Sequence, residues 1–368
     1  MAKNWLQQLN KYEDVVDRSY DPHKHVVRCA SPSINFMFGK GHGLPFGLTA
    51  AIGGPPKGGK TVLCKSFTGQ LHRDYPDALA VKFNTEFREQ AQATPEEDQY
   101  MWGIDPDRFR SYETNNPIEI FDRIDTDFAA LCQEGMPLKL IIIDSITGIQ
   151  GRRDMNATTV ETQQIGDLAL TLQTGLKRIL PVIRKHKIAL ILTCHIRAEM
   201  DQLEQKRGNK VRMAMPLGVE HVAEYKIFIE PNRNVEGRKN LAGEEFKDAS
   251  LKDLGDNSEQ TGHKIKARMK DSSCGPKGRL GEFTIDYRKG HIDIHEEVFL
   301  LGCARGVINR PNNVTYQFGD QDFRGKPAIL EALRNSDVMQ AAIVDEIRKR
   351  DQAGAYDNLE VEAASEDE

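Results

Sequence analysis

The sequence lacks long hydrophobic runs, closely spaced cysteine pairs and a strong excess of charge of either sign. No apolar run approaches the ~18 residues of a membrane-spanning helix, so we expect no such span. The first 20 residues carry acids and have no apolar signal core, which argues against secretion. The six cysteines form no C-x-x-C pair, which favours reduced, mostly buried thiols over a zinc site or a disulfide framework.

The charge balance excludes a histone-like protein that binds nucleic acid by bulk attraction. Fifty Lys and Arg residues against 55 Asp and Glu residues give a formal net charge of −5. A local basic patch remains compatible with this balance. Residues 351–368 hold seven acids and no Lys or Arg, and without them the formal charge is +2. We expect this acidic tail to be disordered.

Short apolar runs alternate with longer stretches of helical spacing. The runs that predict strands are Leu48–Ile52, Leu79–Phe83, Leu138–Ile143, Ile188–Thr193 and Tyr225–Ile229. The stretches that predict helices are Val62–Leu71, Pro117–Cys132, 162–186, Pro327–Arg334 and Val338–Arg350. Such alternation predicts an α/β fold with a mostly parallel central sheet flanked by helices. Two further stretches lack this alternation. Residues 231–262 are predicted to form a long surface loop, and residues 282–330 are predicted to form short strands and turns.

The sharpest motif matches G-x-x-x-x-G-K-[ST], the phosphate-binding loop of many nucleotide-binding proteins. Its glycines let backbone N–H groups surround a phosphate, and the helix that follows presents its N-terminus to the anion. Lys60 supplies a cation for the β- and γ-phosphates of ATP, and Thr61 a hydroxyl for Mg²⁺. The predicted cofactor-binding residues here are Gly54, Pro55, Pro56, Lys57, Gly58, Gly59, Lys60, Thr61 and Val62.

Polar residues at the ends of two of the predicted strands are candidates for the catalytic site. Asp144 ends the run Leu138–Ile143 and is the predicted partner of Thr61 at the metal. Glu86 follows the second strand and is the predicted catalytic base that orients or deprotonates the attacking water. Because ligands of open α/β sheets bind at the carboxyl edge of the strands, we expect both side chains near the phosphate loop.

The order of these motifs resembles the RecA superfamily of recombinases, and within it the T-even phage UvsX branch. The resemblance covers roughly residues 25–340. It rests on Phe83–Phe87, Gly103–Arg108, Ile143–Ser145, Thr193–His195 and 289–302. It implies a RecA-like ATPase core that uses ATP and Mg²⁺, with Glu86 and Lys60 as catalytic residues and His195 as the sensor of the γ-phosphate. The Pro55-Pro56 pair departs from the usual loop, although proline removes only an N–H group.

The resemblance also implies an ATP contact between subunits and two DNA-binding loops. Lys270 is the first choice for the contact across the interface and Arg268 the second. The loops correspond to Gln150–Gln163 and Ile196–Gly218. Cations there can contact phosphates and apolar side chains can wedge between bases. The candidate DNA-binding residues are Arg152, Arg153, Met155, Arg197, Lys206, Arg207, Lys210, Arg212 and Met213.

The organisation that follows has four parts. Residues 1–40 are an N-terminal oligomerisation arm, 41–300 the RecA-like core with its DNA-binding loops, 301–350 a C-terminal helical part and 351–368 the acidic tail. The arm carries an amphipathic stripe suited to docking on a neighbouring subunit.

The function implied is that of a DNA-dependent ATPase that forms helical filaments on single-stranded DNA and pairs it with homologous duplex DNA in recombination and repair. Further implied partners are a single-strand-binding protein and a recombination mediator, in the cytoplasm, or the host cytoplasm if a phage encodes the protein. Two alternatives remain open at this point: a hexameric DNA helicase on the same core, and a small-molecule kinase with no nucleic-acid role.

Overall fold

The computed structural model describes residues 20–88, 94–151, 166–206, 211–230 and 261–353. These residues form an α/β fold in which a large, mostly parallel sheet is flanked by helices, as the sequence predicts. In the parts of the chain that are described, no helix has both the length and the apolar character needed to cross a membrane.

The strands form one large sheet and two small antiparallel ribbons. The first ribbon pairs β1 (Val26–Val27) with β2 (Leu44–Pro45). The strands of the large sheet are β3 (Thr49–Gly54), β4 (Leu79–Asn84), β5 (Phe109–Glu113), β6 (Leu138–Asp144), β7 (Ala189–Ala198), β8 (Val211–Met213), β9 (Tyr225–Ile229), β10 (Gly262–Ser272), β11 (Leu280–Asp286) and β12 (Gly290–Ile292). The second ribbon pairs β13 (Thr315–Phe318) with β14 (Gln321–Arg324).

The helices lie between and after these strands. They are α1 (Pro32–Met37), α2 (Lys60–Asp74), α3 (Pro95–Trp102), α4 (Pro117–Asp122), α5 (Ala129–Gln133), α6 (Asp167–Lys185), α7 (Gln202–Lys206), α8 (Leu217–Glu220), α9 (Ile294–Ala304), α10 (Gly325–Arg334) and α11 (Asp337–Ala353). A π-helical segment, Arg123–Phe128, joins α4 to α5. Short 3₁₀ turns occupy Pro22–Lys24 and Ile146–Gly148.

The sheet order places the carboxyl ends of several strands side by side. Six neighbouring strands run parallel in the order β5, β4, β6, β7, β3 and β9. The strands β10, β11 and β12 continue the sheet antiparallel beyond β9, and β8 pairs antiparallel with β7. The register sets Gly54 opposite His195 and Asn84 opposite Asp144. Residues that are distant in sequence therefore meet at one edge.

Both faces of the inner parallel strands β3, β4 and β6 are almost entirely buried, which explains their largely apolar sequences. On β6, Leu140 and Ile142 pack in a cluster with Phe67 of α2 on one face. Ile141 and Ile143 pack on the other face in a cluster that contains the apolar stripe of α6. Each such side chain contributes roughly 1.5–3 kcal/mol when fully buried. The sheet is therefore a rigid platform for the residues at its edge.

Part of the predicted N-terminal arm packs within the core of its own chain. Helix α1 begins at Pro32, and its N-cap Ser31 accepts a hydrogen bond from the backbone of Ile34. Val27, Ile34 and Met37 are fully buried in the same cluster as α2. Residues 26–38, which were predicted to belong to the arm, thus pack in the core of their own chain. Residues 1–19 of the predicted arm lie outside the described residues.

The C-terminal helices have their own apolar cluster, formed by α9, α10 and α11 with Phe36. Helix α11 runs to Ala353, so residues 351–353, predicted to be disordered, are helical. Asp351, placed in the tail by the sequence, has a side chain only 4% exposed and forms ion pairs with Arg279 and Arg305. Its carboxylate also lies 3.2 Å from Nε2 of His42. The rest of the predicted tail lies outside the described residues.

Candidate nucleotide-binding site

The phosphate loop connects β3 directly to α2, as the motif predicts. Gly59 caps the helix with a φ of 97°, a left-handed conformation that favours glycine. A Cβ atom at Gly59 would lie 2.2 Å from Cδ1 of Ile265. The loop is thus a close-fitting cradle whose backbone faces the N-terminal end of a 15-residue helix. That geometry suits the binding of phosphate groups.

Lys60 is held in position from below the loop. Its ammonium donates hydrogen bonds to the carbonyl oxygens of Gly54, at 3.0 Å, and Pro55, at 2.8 Å. The residue is only 7% exposed. Burial lowers the pKa of Lys60, and the nearby carboxylates of Asp144 and Glu86 act in the opposite direction. The cation therefore has a fixed location and backbone partners that an arriving phosphate can replace.

Thr61 and Asp144 meet at the place predicted for the metal. The hydroxyl of Thr61 donates to Oδ2 of Asp144 at 2.9 Å, and the hydroxyl of Thr193 donates to Oδ1. One hydroxyl and one carboxylate fit Mg²⁺, which keeps several waters and takes phosphate oxygens as further ligands. No group of three or more His, Cys, Asp or Glu side chains suited to a metal is found among the described residues. The donor set thus fits a nucleotide-bound Mg²⁺ and gives no sign of a protein-only metal cage.

Glu86 and His195 lie next to each other. Oε1 of Glu86 is 3.3 Å from Nε2 of His195, and it accepts a hydrogen bond of 3.3 Å from the hydroxyl of Ser145. Both side chains are about one-third exposed, at 28% and 37%. They line the same cleft as Lys60 and Asp144. The structure thus brings together the four side chains that the sequence placed at separate strand ends.

The cleft has a volume of about 650 Å³ and extends beyond the phosphate loop. At its far end lie side chains that the sequence reasoning missed: Met101, Trp102, His263, Asp286 and Tyr287. Nδ1 of His263 lies 2.9 Å from the hydroxyl of Tyr287. These residues come from α3, from β10 and from the end of β11, which Tyr287 directly follows, and no spacing pattern links them. They form an aromatic end suited to the base or sugar of a nucleotide.

The Gly103–Arg108 turn has a structural role. Arg108 donates to Oδ2 of Asp105 at 2.7 Å and to the backbone carbonyls of His72, Tyr75 and Pro76. Nδ1 of His72 accepts the backbone N–H of Asp105. The turn therefore fixes the C-terminal end of α2 against the chain that leads into β5.

The second predicted DNA-binding loop is partly described. Arg197 and Arg212 are directly paired on β7 and β8 and are exposed, as is Lys206 at the end of α7. Met213 is different: it is 3% exposed and packs against Gly53 beneath the phosphate loop. The strand alternation of β8 turns Arg212 outwards and Met213 inwards. The prediction that Met213 contacts DNA is therefore corrected, because its side chain belongs to the core.

Other predicted sites lie away from the cleft or outside the described residues. Arg268 and Lys270 are exposed on β10 and do not line the cleft of their own chain. Arg268 pairs with Glu230 at 3.1 Å. The remaining DNA-binding candidates, all outside the described residues, are Arg152, Arg153, Met155, Arg207 and Lys210.

Comparison with known proteins gives one clear similarity. No protein-family model matches the chain. The chain is 22% identical over 352 residues to Protein RecA of Corynebacterium jeikeium (strain K411), with 94% of this chain and 82% of the relative covered. The similarity extends over both the nucleotide site and the C-terminal helices. The chain is therefore similar to this RecA protein over nearly its whole length.

Proposed function

We propose that the protein is a DNA-dependent ATPase that polymerises on single-stranded DNA and catalyses homologous pairing and strand exchange in recombination and repair. The observation that carries the proposal is the convergence of Lys60, Thr61, Asp144, Glu86 and His195 in one cleft. Similarity to RecA over nearly the whole chain supports the same function. The position of His195 supports, within the RecA superfamily, the phage UvsX branch.

ATP fits the cleft with its phosphates on the loop and its base towards Tyr287. Lys60 exchanges its two carbonyl partners for phosphate oxygens. Thr61 and Asp144 would hold Mg²⁺, which would supply positive charge to the phosphate groups. Because the loop and the strand ends are already in place, little reorganisation is needed on binding.

Glu86 is the group that positions the attacking water. Its carboxylate is directed into the cleft by a hydrogen bond from Ser145, which follows the metal carboxylate directly. A carboxylate within reach of the γ-phosphate site can orient a water molecule and accept its proton. His195 lies between Glu86 and the base of the second loop, which supports its role as the γ-phosphate sensor.

DNA binding is proposed for the exposed cations that follow His195. The strand β7 continues past the cleft to Arg197, and its pairing with β8 brings Arg212 alongside. Together with Lys206 and the cations outside the described residues, these side chains can contact phosphates. An ATP-dependent shift at His195 then biases the loop between DNA-binding and released states. Lys270 or Arg268 contacts the ATP of a neighbouring subunit in this proposal.

The decisive test is ATP hydrolysis with and without single-stranded DNA. We expect DNA to stimulate the wild type, and we expect Lys60→Ala and Glu86→Gln to lose at least ~100-fold in rate. Glu86→Gln should still bind ATP and DNA, because its fold and phosphate loop are intact. A rate that DNA leaves unchanged contradicts the recombinase function and favours a small-molecule kinase. Full activity of Glu86→Gln excludes Glu86 as the base.

The assembly is tested by electron microscopy of the protein with ATP and single-stranded DNA. We expect helical filaments; closed hexamers would favour the helicase. The sensor role is tested separately with His195→Ala. We expect this variant to bind DNA equally well with and without ATP, whereas the wild type should bind more tightly with ATP.

A further inference from the structure

A buried lysine lies behind the carboxylate of Asp144, the proposed Mg²⁺ ligand. Lys82 is in the middle of β4, where every other residue except the last, Asn84, is apolar, and it is 3% exposed. A small internal cavity beneath α2 is lined by Lys82 together with Thr68 and Ile142. Lysine is seldom buried to this degree unless a counter-charge accompanies it, because removing an ammonium from water is costly.

The counter-charge next to Lys82 includes the metal carboxylate itself. Nζ of Lys82 lies 3.7 Å from Oδ2 of Asp144. The same oxygen accepts the hydrogen bond from Thr61, and the other oxygen accepts one from Thr193. Both oxygens of Asp144 are thus fixed by neighbours from two strands and a helix before any nucleotide binds.

A second buried pair lies beside the first. Nζ of Lys65 on α2 is 2.7 Å from Oδ1 of Asp98 on α3, and both side chains are nearly buried. The two lysines and two aspartates have no net formal charge together. A divalent cation that arrives alone at Asp144 therefore meets a carboxylate already balanced by a fixed cation. A cation that arrives with ATP brings the phosphate charges as additional ligands.

We propose that Lys82 is a built-in counter-ion of the metal carboxylate. It positions Asp144 in the nucleotide-free protein and prevents the site from holding a divalent cation without a nucleotide. Lys82 is a positioning residue, since it lies behind the carboxylate and does not line the nucleotide cleft. The inference rests on the proposed Mg²⁺ site and requires neither DNA binding nor strand exchange.

The test is Mn²⁺ binding to the full-length, nucleotide-free protein, measured by electron paramagnetic resonance. We expect wild type and Asp144→Asn to show equally little bound Mn²⁺. Lys82→Met keeps the length of the side chain and removes the charge, and we expect it to bind Mn²⁺ at least tenfold more tightly. The double variant Lys82→Met/Asp144→Asn should lose that gain.

Two controls separate a local effect from a general change of charge. Lys65→Met removes the same charge from the neighbouring pair and should not tighten Mn²⁺ binding. Lys82→Arg keeps the charge and should behave as the wild type. The proposal is overturned if Lys82→Met gives no gain, or if Lys65→Met gives the same gain. If Lys82→Met fails to fold, the comparison of wild type with Asp144→Asn decides. The proposal is overturned if the wild type binds Mn²⁺ tightly and Asp144→Asn does not. It is supported if neither protein binds Mn²⁺ tightly.

The outcome is independent of the proposed function, because the assay contains neither ATP nor DNA. A protein whose ATPase ignores DNA can still show the Mn²⁺ gain of Lys82→Met. Conversely, a DNA-stimulated ATPase without that gain keeps the recombinase function and loses the role of Lys82.

Discussion

Replacing Asp351 with asparagine tests whether α11 is fastened to the core by a buried charge. The carboxylate takes a bidentate interaction from Arg279, at 2.7 and 2.6 Å, and a further contact of 3.2 Å from Arg305. Burial alone would raise the pKa of Asp351, but the hydrogen bonds from His42 and Arg279 outweigh it and hold that pKa below its usual range. Asp351→Asn leaves these cations without their counter-charge.

The expected cost follows from the exposure of the groups left behind. Removing one partner of a fully buried ion pair costs about 3–5 kcal/mol. Arg279 and Arg305 are 19% and 38% exposed, so water screens part of the loss. We therefore expect about 3 kcal/mol, at the lower end of that range. Because the folded-state pKa is depressed, this stabilisation is present above pH ~4, the pKa of an unperturbed carboxyl, and is lost as the pH falls further.

Hydrogen exchange of the backbone amides in α11 measures this effect locally. A loss of 3 kcal/mol corresponds to exchange that is roughly 100-fold faster. Asp345→Asn is the matched control on the same helix, because Asp345 is 58% exposed and forms a surface ion pair with Arg348. It should change stability by less than ~0.5 kcal/mol. Equal exchange rates in the two variants would show that Asp351 does not fasten the helix.

Three further predictions concern other parts of the chain. Burial raises the pKa of Glu297 to about 8, so its contribution to stability is present below pH ~4.5 and is lost as the pH rises towards 8. At pH 8, Glu297→Gln should therefore melt at a higher temperature than the wild type, and at pH 5 the two should melt at similar temperatures. A lower melting temperature of the variant at pH 8 would show that the Glu297 carboxyl is not protonated in the folded protein. Gly59→Ala should weaken binding of a fluorescent ATP analogue at least tenfold, whereas Gly135→Ala, also at a positive φ but with open space around it, should leave binding unchanged. Deleting residues 354–368, which carry six acids, should strengthen duplex-DNA binding at low salt; an unchanged salt dependence of affinity contradicts competition by the tail.

The fold was largely predictable because its core strands are long apolar runs between helical stretches. The runs at 79–83, 138–143 and 225–229 became β4, β6 and β9 with shifts of at most one residue. Helix α9 was not predicted from the spacing of its apolar residues, because these residues lie on more than one face of the helix. The sequence pattern around it instead predicted strands and turns. The position of residues 26–38 in the core depends on contacts with distant strands, which local patterns do not record.

The candidate site was predictable where chemistry depends on a local motif. The phosphate loop carries its own signature, and Asp144 and Glu86 follow recognisable strands. Lys82 was missed, although a lysine inside an apolar strand was a visible signal. Tyr287 gave no signal, because its place in the cleft depends on the antiparallel extension of the sheet beyond β9. The prediction for Met213 was wrong because the sequence alone does not show which side chains of β8 point outwards. That becomes clear only from the pairing of β8 with β7.

The strand β7 directly connects the cleft, at His195, with the exposed cations at its outer end, Arg197 and its partner Arg212 on β8. From Ala189 to Ala198 it contains neither glycine nor proline, so it has no natural hinge. Two residues of a strand span about 6.6 Å, which is the distance from His195 to Arg197 along the chain. The buried end is clamped between β3 and β6, and the free end carries β8. A small rotation of β7 beside the nucleotide would therefore produce a larger displacement at its outer end, which carries Arg197 and β8.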